Sequence, residues 1–238
     1  MNLVKNISIG LVTSFLLLSC SKLDSLNVTQ SDSINAFSVD SSDSLTKLNS
    51  AIDFGSNTKN TFNNSKVKLF MDTEAFNALV DMLNNAKKSI YVEIYEFAND
   101  KAGQKIAEIL SRRAKEGLDV RFIYDFLTNT NIKHIQEMAK NGVKVQTYGK
   151  DLIDAKLSVT HRKLYSVDGT KAMTGGMNIV EPFMTGKNHD VLIQFEGEVA
   201  NLTAKEFSKD WVFSGGKEDD KMKETLATPI EEYAEKYP

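Results

Sequence analysis

Between residues 67 and 148 the chain alternates a two-residue apolar period with a helical one, and few architectures accommodate that pattern. Residues 67–71 read as a strand. Residues 73–86 follow as a helix whose apolar face is Ala75, Phe76, Leu79, Val80, Met82 and Leu83. Residues 89–97 are rich in β-branched and aromatic side chains, with Ile90, Val92 and Ile94 alternating against Tyr91, Glu93 and Tyr95. A helix over 101–115 stops at Gly117, residues 119–124 form a strand, 132–140 a helix ending near Asn141-Gly142, and 143–148 a strand. This order predicts an α/β fold, an α-β-α sandwich around a mixed but mostly parallel sheet. Beyond a polar stretch at 149–158, two short strands at 164–167 and 171–174 flank Asp168-Gly169, a hairpin signal. A strand at 190–195 and a helix at 199–211 follow, the latter with Leu202, Phe207 and Trp211 facing inward. The charged tail 217–238 reads as a loosely attached helix.

Residues 160–178 carry the legible chemistry. On an extended segment His161 and Lys163, two apart, point to the same face, so an imidazole and an ammonium converge on one anion, most simply a phosphate. Downstream stand Asp168, Gly175, Gly176 and Asn178 at fixed offsets. His-x-Lys, four residues, Asp, six residues, Gly-Gly-x-Asn resembles the signature of the phospholipase D superfamily of phosphodiesterases. The resemblance implies the phospholipase D-like sandwich, a covalent phosphohistidine, and a second histidine that protonates the leaving oxygen and then activates the acceptor. It implies no metal and no cofactor. His161 matches the nucleophile or acid, Lys163 and Asn178 the phosphate ligands, and Gly175-Gly176 a turn that lets backbone approach the site; many members have Gly-Ser there. Asp190 lies where related single-copy nucleases carry a carboxylate that bonds the catalytic imidazole; the other reading of its position is a strand-start residue capping backbone amides. Asp168 belongs to the signature among the catalytic positions, with a structural role expected at the hairpin turn. His189 reads as an ordinary polar neighbour, His134 as solvated on its helix, Arg162 as exposed, and Glu93 and Glu96 as residues of a strand that borders the pocket, or else as solvated or salt-bridged.

The first 19 residues read as a signal peptide: Lys5, then a largely apolar run over 7–18. Leu17-Leu18-Ser19-Cys20 resembles a bacterial lipobox, and Cys20 is the single cysteine. The expectation is a lipid-anchored protein on the extracytoplasmic side of the bacterial envelope. A polar tether spans 20–65, a phospholipase D-like domain 66–215, and an acidic tail 216–238. The formal net charge is −3 and the isoelectric point about 5.7, with basic and acidic residues nearly balanced across 66–215. A protein held to nucleic acid by counterion release usually carries a basic excess, so phospholipid is favoured over nucleic acid as partner.

Only one signature is present, since neither His134 nor His189 is followed by the required lysine. The two-histidine mechanism implied by the resemblance then needs a second half, supplied by a two-fold homodimer, by another protein, or absent in an inactive descendant. Three functions remain: a phospholipid headgroup phosphodiesterase or transferase, an exported nonspecific endonuclease using the same residues, and a surface lipoprotein without turnover.

Overall fold

The computed structural model describes residues 65–149 and 159–228, all belonging to one compact unit. The segments expected to be a signal peptide and a tether before Ser65, Cys20 among them, and residues 229–238 lie outside the described residues. Seven strands, β1 (Ser65–Met71), β2 (Ser89–Ile94), β3 (Asp119–Asp125), β4 (Lys144–Tyr148), β5 (Lys163–Val167), β6 (Lys171–Gly175) and β7 (Val191–Gly197), form one sheet in the order β1-β7-β6-β5-β2-β3-β4. Among the described residues six helices alternate with them: α1 (Asp72–Asn84), α2 (Lys101–Lys115), α3 (Lys133–Lys140), α4 (Glu181–Met184), α5 (Glu198–Phe213) and α6 (Asp220–Leu226). The α/β sandwich and the mixed sheet expected from the pattern are present. The parallel share is smaller than expected. Only β2-β3 and β3-β4 are parallel; the other four pairings are antiparallel.

The physical reason lies in the connections. Helices α2 and α3 return the chain for parallel pairing, whereas β5 and β6 are joined by the three residues 168–170, which permits only an antiparallel hairpin. Asp168 and Gly169 both have positive φ, 57° and 67°, the conformation of a type I′ turn. The first strand pairs with the last, β1 antiparallel to β7, so β1 closes the sheet at one edge.

Alternation along β2 divides the core. Ile90, Val92 and Ile94 join Phe76, Leu79 and Leu83 of α1 and Ile106 and Leu110 of α2 in the larger cluster. Tyr91 points the other way, into a second cluster with Phe207 and Trp211 of α5 and Met222 of α6. Helix α2 begins where Asp100 accepts from the amides of Ala102 and Gly103, both at 3.0 Å, and ends before Gly117 at φ 95°.

Residues 217–228, the described part of the tail, are not loosely attached. Arg121 of β3 is fully buried between the rings of Tyr91 and Trp211. It pairs with Asp119 at 2.8 Å and with Asp219, and donates to the Lys217 carbonyl at 3.1 Å. Lys144 bridges Asp119 and Asp219, each at 2.8 Å, and buried Met222 completes the attachment. A charge-only reading of the tail misses these partners because they come from β3 and β4.

Candidate active site

Residues 95–98, just past the C-terminal end of β2, organise the site. Phe97 bridges Ile179 in parallel, the Ile179 amide donates to the Glu96 carbonyl at 3.2 Å, and the Ala98 amide to the Ile179 carbonyl at 3.1 Å. These bonds place Asn178 against Glu96. Its Oδ1 accepts from the Glu96 amide and its Nδ2 donates to Glu96 Oε2, both at 3.3 Å. Lys163 opens β5 opposite Ile94, which brings its ammonium to the same end of the sheet. The His161 ring meets Tyr95 edge-on at 4.4 Å between centroids, and Lys163 Nζ stands 4.9 Å from the centre of that same ring. Tyr95 is thus a shared platform for the imidazole and the ammonium.

Lys163 is only 3% exposed, and its Nζ donates to the His161 carbonyl at 2.9 Å. Burial lowers its pKa, partly countered by the carboxylates of Asp190 and Glu96. An ammonium stripped of water in this way gains more from an arriving phosphate than a solvated one would. His161 itself is exposed.

Asp190 precedes β7. Its backbone exchanges hydrogen bonds with Asp72: the Asp190 amide donates to Asp72 Oδ1 and the Asp72 amide to the Asp190 carbonyl, each at 2.9 Å. Its carboxylate accepts from the Val191 amide at 2.7 Å. Among the described residues no hydrogen bond joins it to the His161 ring, so the imidazole contact is not made in this arrangement, and Asp190 instead fits the other reading of its position, a strand-start residue capping a backbone amide. The glycine pair is explained by close approach rather than by a left-handed turn, since neither residue has positive φ. A Cβ on Gly175 would run into the Val191 carbonyl, and one on Gly176 into the Asp190 carboxylate.

Asp168 lies at the other end of β5, five residues and about 17 Å of strand from Lys163. Its carboxylate accepts from the amides of Lys87, Lys88 and Ser89 at 2.7 to 3.1 Å, pinning the hairpin to the start of β2. It belongs to the signature without touching the site.

His134 corrects the solvated expectation. It is 7% exposed, its Nε2 lies 3.1 Å from the Phe97 carbonyl, and burial lowers its pKa. Reading only its charged neighbours on α3 missed the loop carbonyl that faces it. His189 is 88% exposed with Nδ1 3.0 Å from Asp72 Oδ2. Arg162 is half exposed and paired with Asp210 of α5. Glu93 is neither at solvent nor at the pocket mouth: it is fully buried and accepts from the Thr160 hydroxyl. Tyr95 and Thr160 went unremarked as site residues, although the Tyr91-Glu93-Tyr95 alternation and the position of Thr160 beside His161 both pointed to them. No group of three or more metal-ligating side chains is assembled among the described residues.

Residues 79–211 match the family model described as "Cardiolipin synthase, PLD-like domain". The chain is 30% identical over 155 residues to cardiolipin synthase 2 of Bacillus cereus, covering 60% of this chain and 30% of that protein. It is also 30% identical over 180 residues to a cardiolipin synthase of Halalkalibacterium halodurans, covering 71% and 34%. The chain thus spans about a third of the length of these relatives. The fold is shared with Nuc of Salmonella typhimurium, a phospholipase D family member, at a TM-score of 0.53 and 21% identity over 62% of this chain and 95% of that one. NucT of Helicobacter pylori gives a TM-score of 0.53 at 23% identity over 63% and 97%. With a model match spanning more than half its length, and with the strand ends and glycine pair assembled as above, the chain belongs to the phospholipase D-like family of the cardiolipin synthase type.

Proposed function

We propose that this protein is a phospholipid phosphodiesterase or headgroup transferase that works through a phosphohistidine at His161. The observation that carries the reading is the shared Tyr95 platform, which holds His161 and Lys163 together at the sheet end where Asn178 is fixed on Glu96. In the first step an imidazole nitrogen of His161 attacks phosphorus, and the bond to the departing alcohol breaks as a second imidazole gives that oxygen its proton. Lys163 and Asn178 donate to the non-bridging phosphate oxygens as charge develops. In the second step water or an alcohol hydroxyl attacks, gives its proton to the second imidazole, and the nitrogen–phosphorus bond breaks.

Among the described residues His134 is engaged by a buried carbonyl and His189 by Asp72. The second imidazole in this reading is therefore His161 of another copy, brought across a two-fold axis. A phospholipid substrate is supported by the resemblance to cardiolipin synthases and by the exposed apolar side chains of Phe126, Leu127 and Val159. These flank Asp125 and Thr160, one residue from His161. Attachment through a lipidated Cys20 would hold the domain at the membrane; Cys20→Ala should release the protein from the membrane fraction.

A nonspecific endonuclease is the second reading, favoured by the single signature per chain. The full chain, incubated with phosphatidylglycerol vesicles, phosphatidylcholine vesicles and plasmid DNA beside a His161→Asn control, separates them. Lipid turnover lost in the control supports the first reading. DNA nicking lost in the control supports the second, and silence on every substrate refutes both.

A further inference from the structure

The segment that carries His161 is gripped from behind. Residues alternate along an extended chain, so while His161 and Lys163 face the site, Thr160 and Arg162 face α5. Both are held by carboxyl groups. The Thr160 hydroxyl donates to Glu93 Oε1, the Thr160 amide donates to Asp125 Oδ2 at 2.9 Å, and Arg162 pairs with Asp210. Glu93 is fully buried on β2, and its second oxygen, Oε2, has no hydrogen-bond donor. The Asp210 carboxyl acts on Glu93 and, after burial, is among the groups that raise its pKa. Two carboxyl groups in contact away from water cannot both ionise cheaply, and a proton on the orphan oxygen resolves the conflict by making it the donor to Asp210.

We propose that Glu93 is a positioning residue for His161: as a neutral acid bonded to Asp210 it holds residues 160–162 in place, and its ionisation loosens that segment and slows the reaction. The inference rests on the proposed role of His161. Below neutrality the chain of contacts is complete, with Thr160 on Glu93, Glu93 on Asp210 and Asp210 on Arg162. Once Glu93 ionises, two facing carboxylates share the single guanidinium of Arg162. The remaining titratable neighbours, Tyr148 at the end of β4 and Asp125 at the end of β3, add no positive charge. Burial and the Asp210 carboxylate push Glu93 up to about 7, which sets the range in which the segment loosens.

The test compares the full-length protein with Glu93→Gln, which cannot ionise but keeps shape and hydrogen-bonding capacity. Amide exchange of residues 159–163, corrected for intrinsic rates, should accelerate at least fivefold between pH 6 and 8.5 in the wild type and stay level in the variant. The ratio of kcat/KM at pH 8.5 to that at pH 6, on phosphatidylglycerol vesicles, should rise at least fivefold in the variant relative to wild type. Asp210→Asn, which keeps Glu93 but removes the opposing charge, should move the wild-type transition to lower pH. Equal pH responses in wild type and Glu93→Gln, or an unmoved transition in Asp210→Asn, overturn the inference. Accelerated exchange without turnover of any phosphodiester instead refutes the enzymatic reading while supporting control of the segment by Glu93.

Discussion

The buried Glu93 makes a thermodynamic prediction independent of catalysis. Its ordinary value of 4.5 is raised to about 7, chiefly by burial. An acid whose folded value is raised contributes stability that is complete below the unfolded value and is lost as pH rises through the folded one. The shift corresponds to about 3 kcal/mol over the whole window from 4.5 to above 7, of which about 2 kcal/mol falls between pH 5.5 and 8.5. Glu93→Gln removes the titration and leaves the Thr160 contact available. Urea unfolding of both proteins at several pH values across that range measures the difference directly. The variant should gain on the wild type by about 2 kcal/mol as pH rises from 5.5 to 8.5. A stability difference that stays constant across the range would refute the argument, because it would mean that Glu93 has the same proton affinity folded and unfolded.

Three further outcomes follow from the packing. Gly175→Ala and Gly176→Ala should separate stability from function: the first drives a Cβ into the Val191 backbone and should cost about 3 kcal/mol or more in thermal unfolding. The second pushes only on the Asp190 side chain and should cost less stability but at least tenfold in kcat. Arg121→Leu removes the guanidinium shared by buried Asp119 and Asp219 and leaves Lys144 as their remaining basic partner, and should cost about 3 kcal/mol with faster amide exchange over 217–228. Specific activity should fall on dilution in step with dissociation measured by sedimentation, whereas a fully active monomer would contradict a site shared between copies.

Local physics made much of this molecule readable in advance. Gly117 stops α2, and Asp168-Gly169 sets the β5-β6 hairpin, because caps and tight turns are decided by residues a few positions apart. Sheet order was not readable in this way. The β1-β7 pairing joins residues more than a hundred positions apart, and either edge of the sheet satisfies the alternation of β1. The site shows the same division. His161 and Lys163 share a face by their spacing and Asn178 enters through the signature that the segment resembles, while Tyr95 and Glu96 join them only when the 176–180 loop is stitched to the end of β2. His134 and Glu93 were misplaced for one reason: their burial depends on a loop carbonyl and on α5, neither of which leaves a mark on the neighbouring sequence.

The central claim is that His161 bonds covalently to phosphorus. Rapid mixing of the protein with phosphatidylglycerol vesicles, a quench at neutral to alkaline pH that preserves phosphohistidine, and peptide mass spectrometry test it directly. The account predicts a phosphatidyl adduct on the peptide containing His161, absent in His161→Asn. Steady turnover with no adduct at His161, or an adduct on His189, would contradict it.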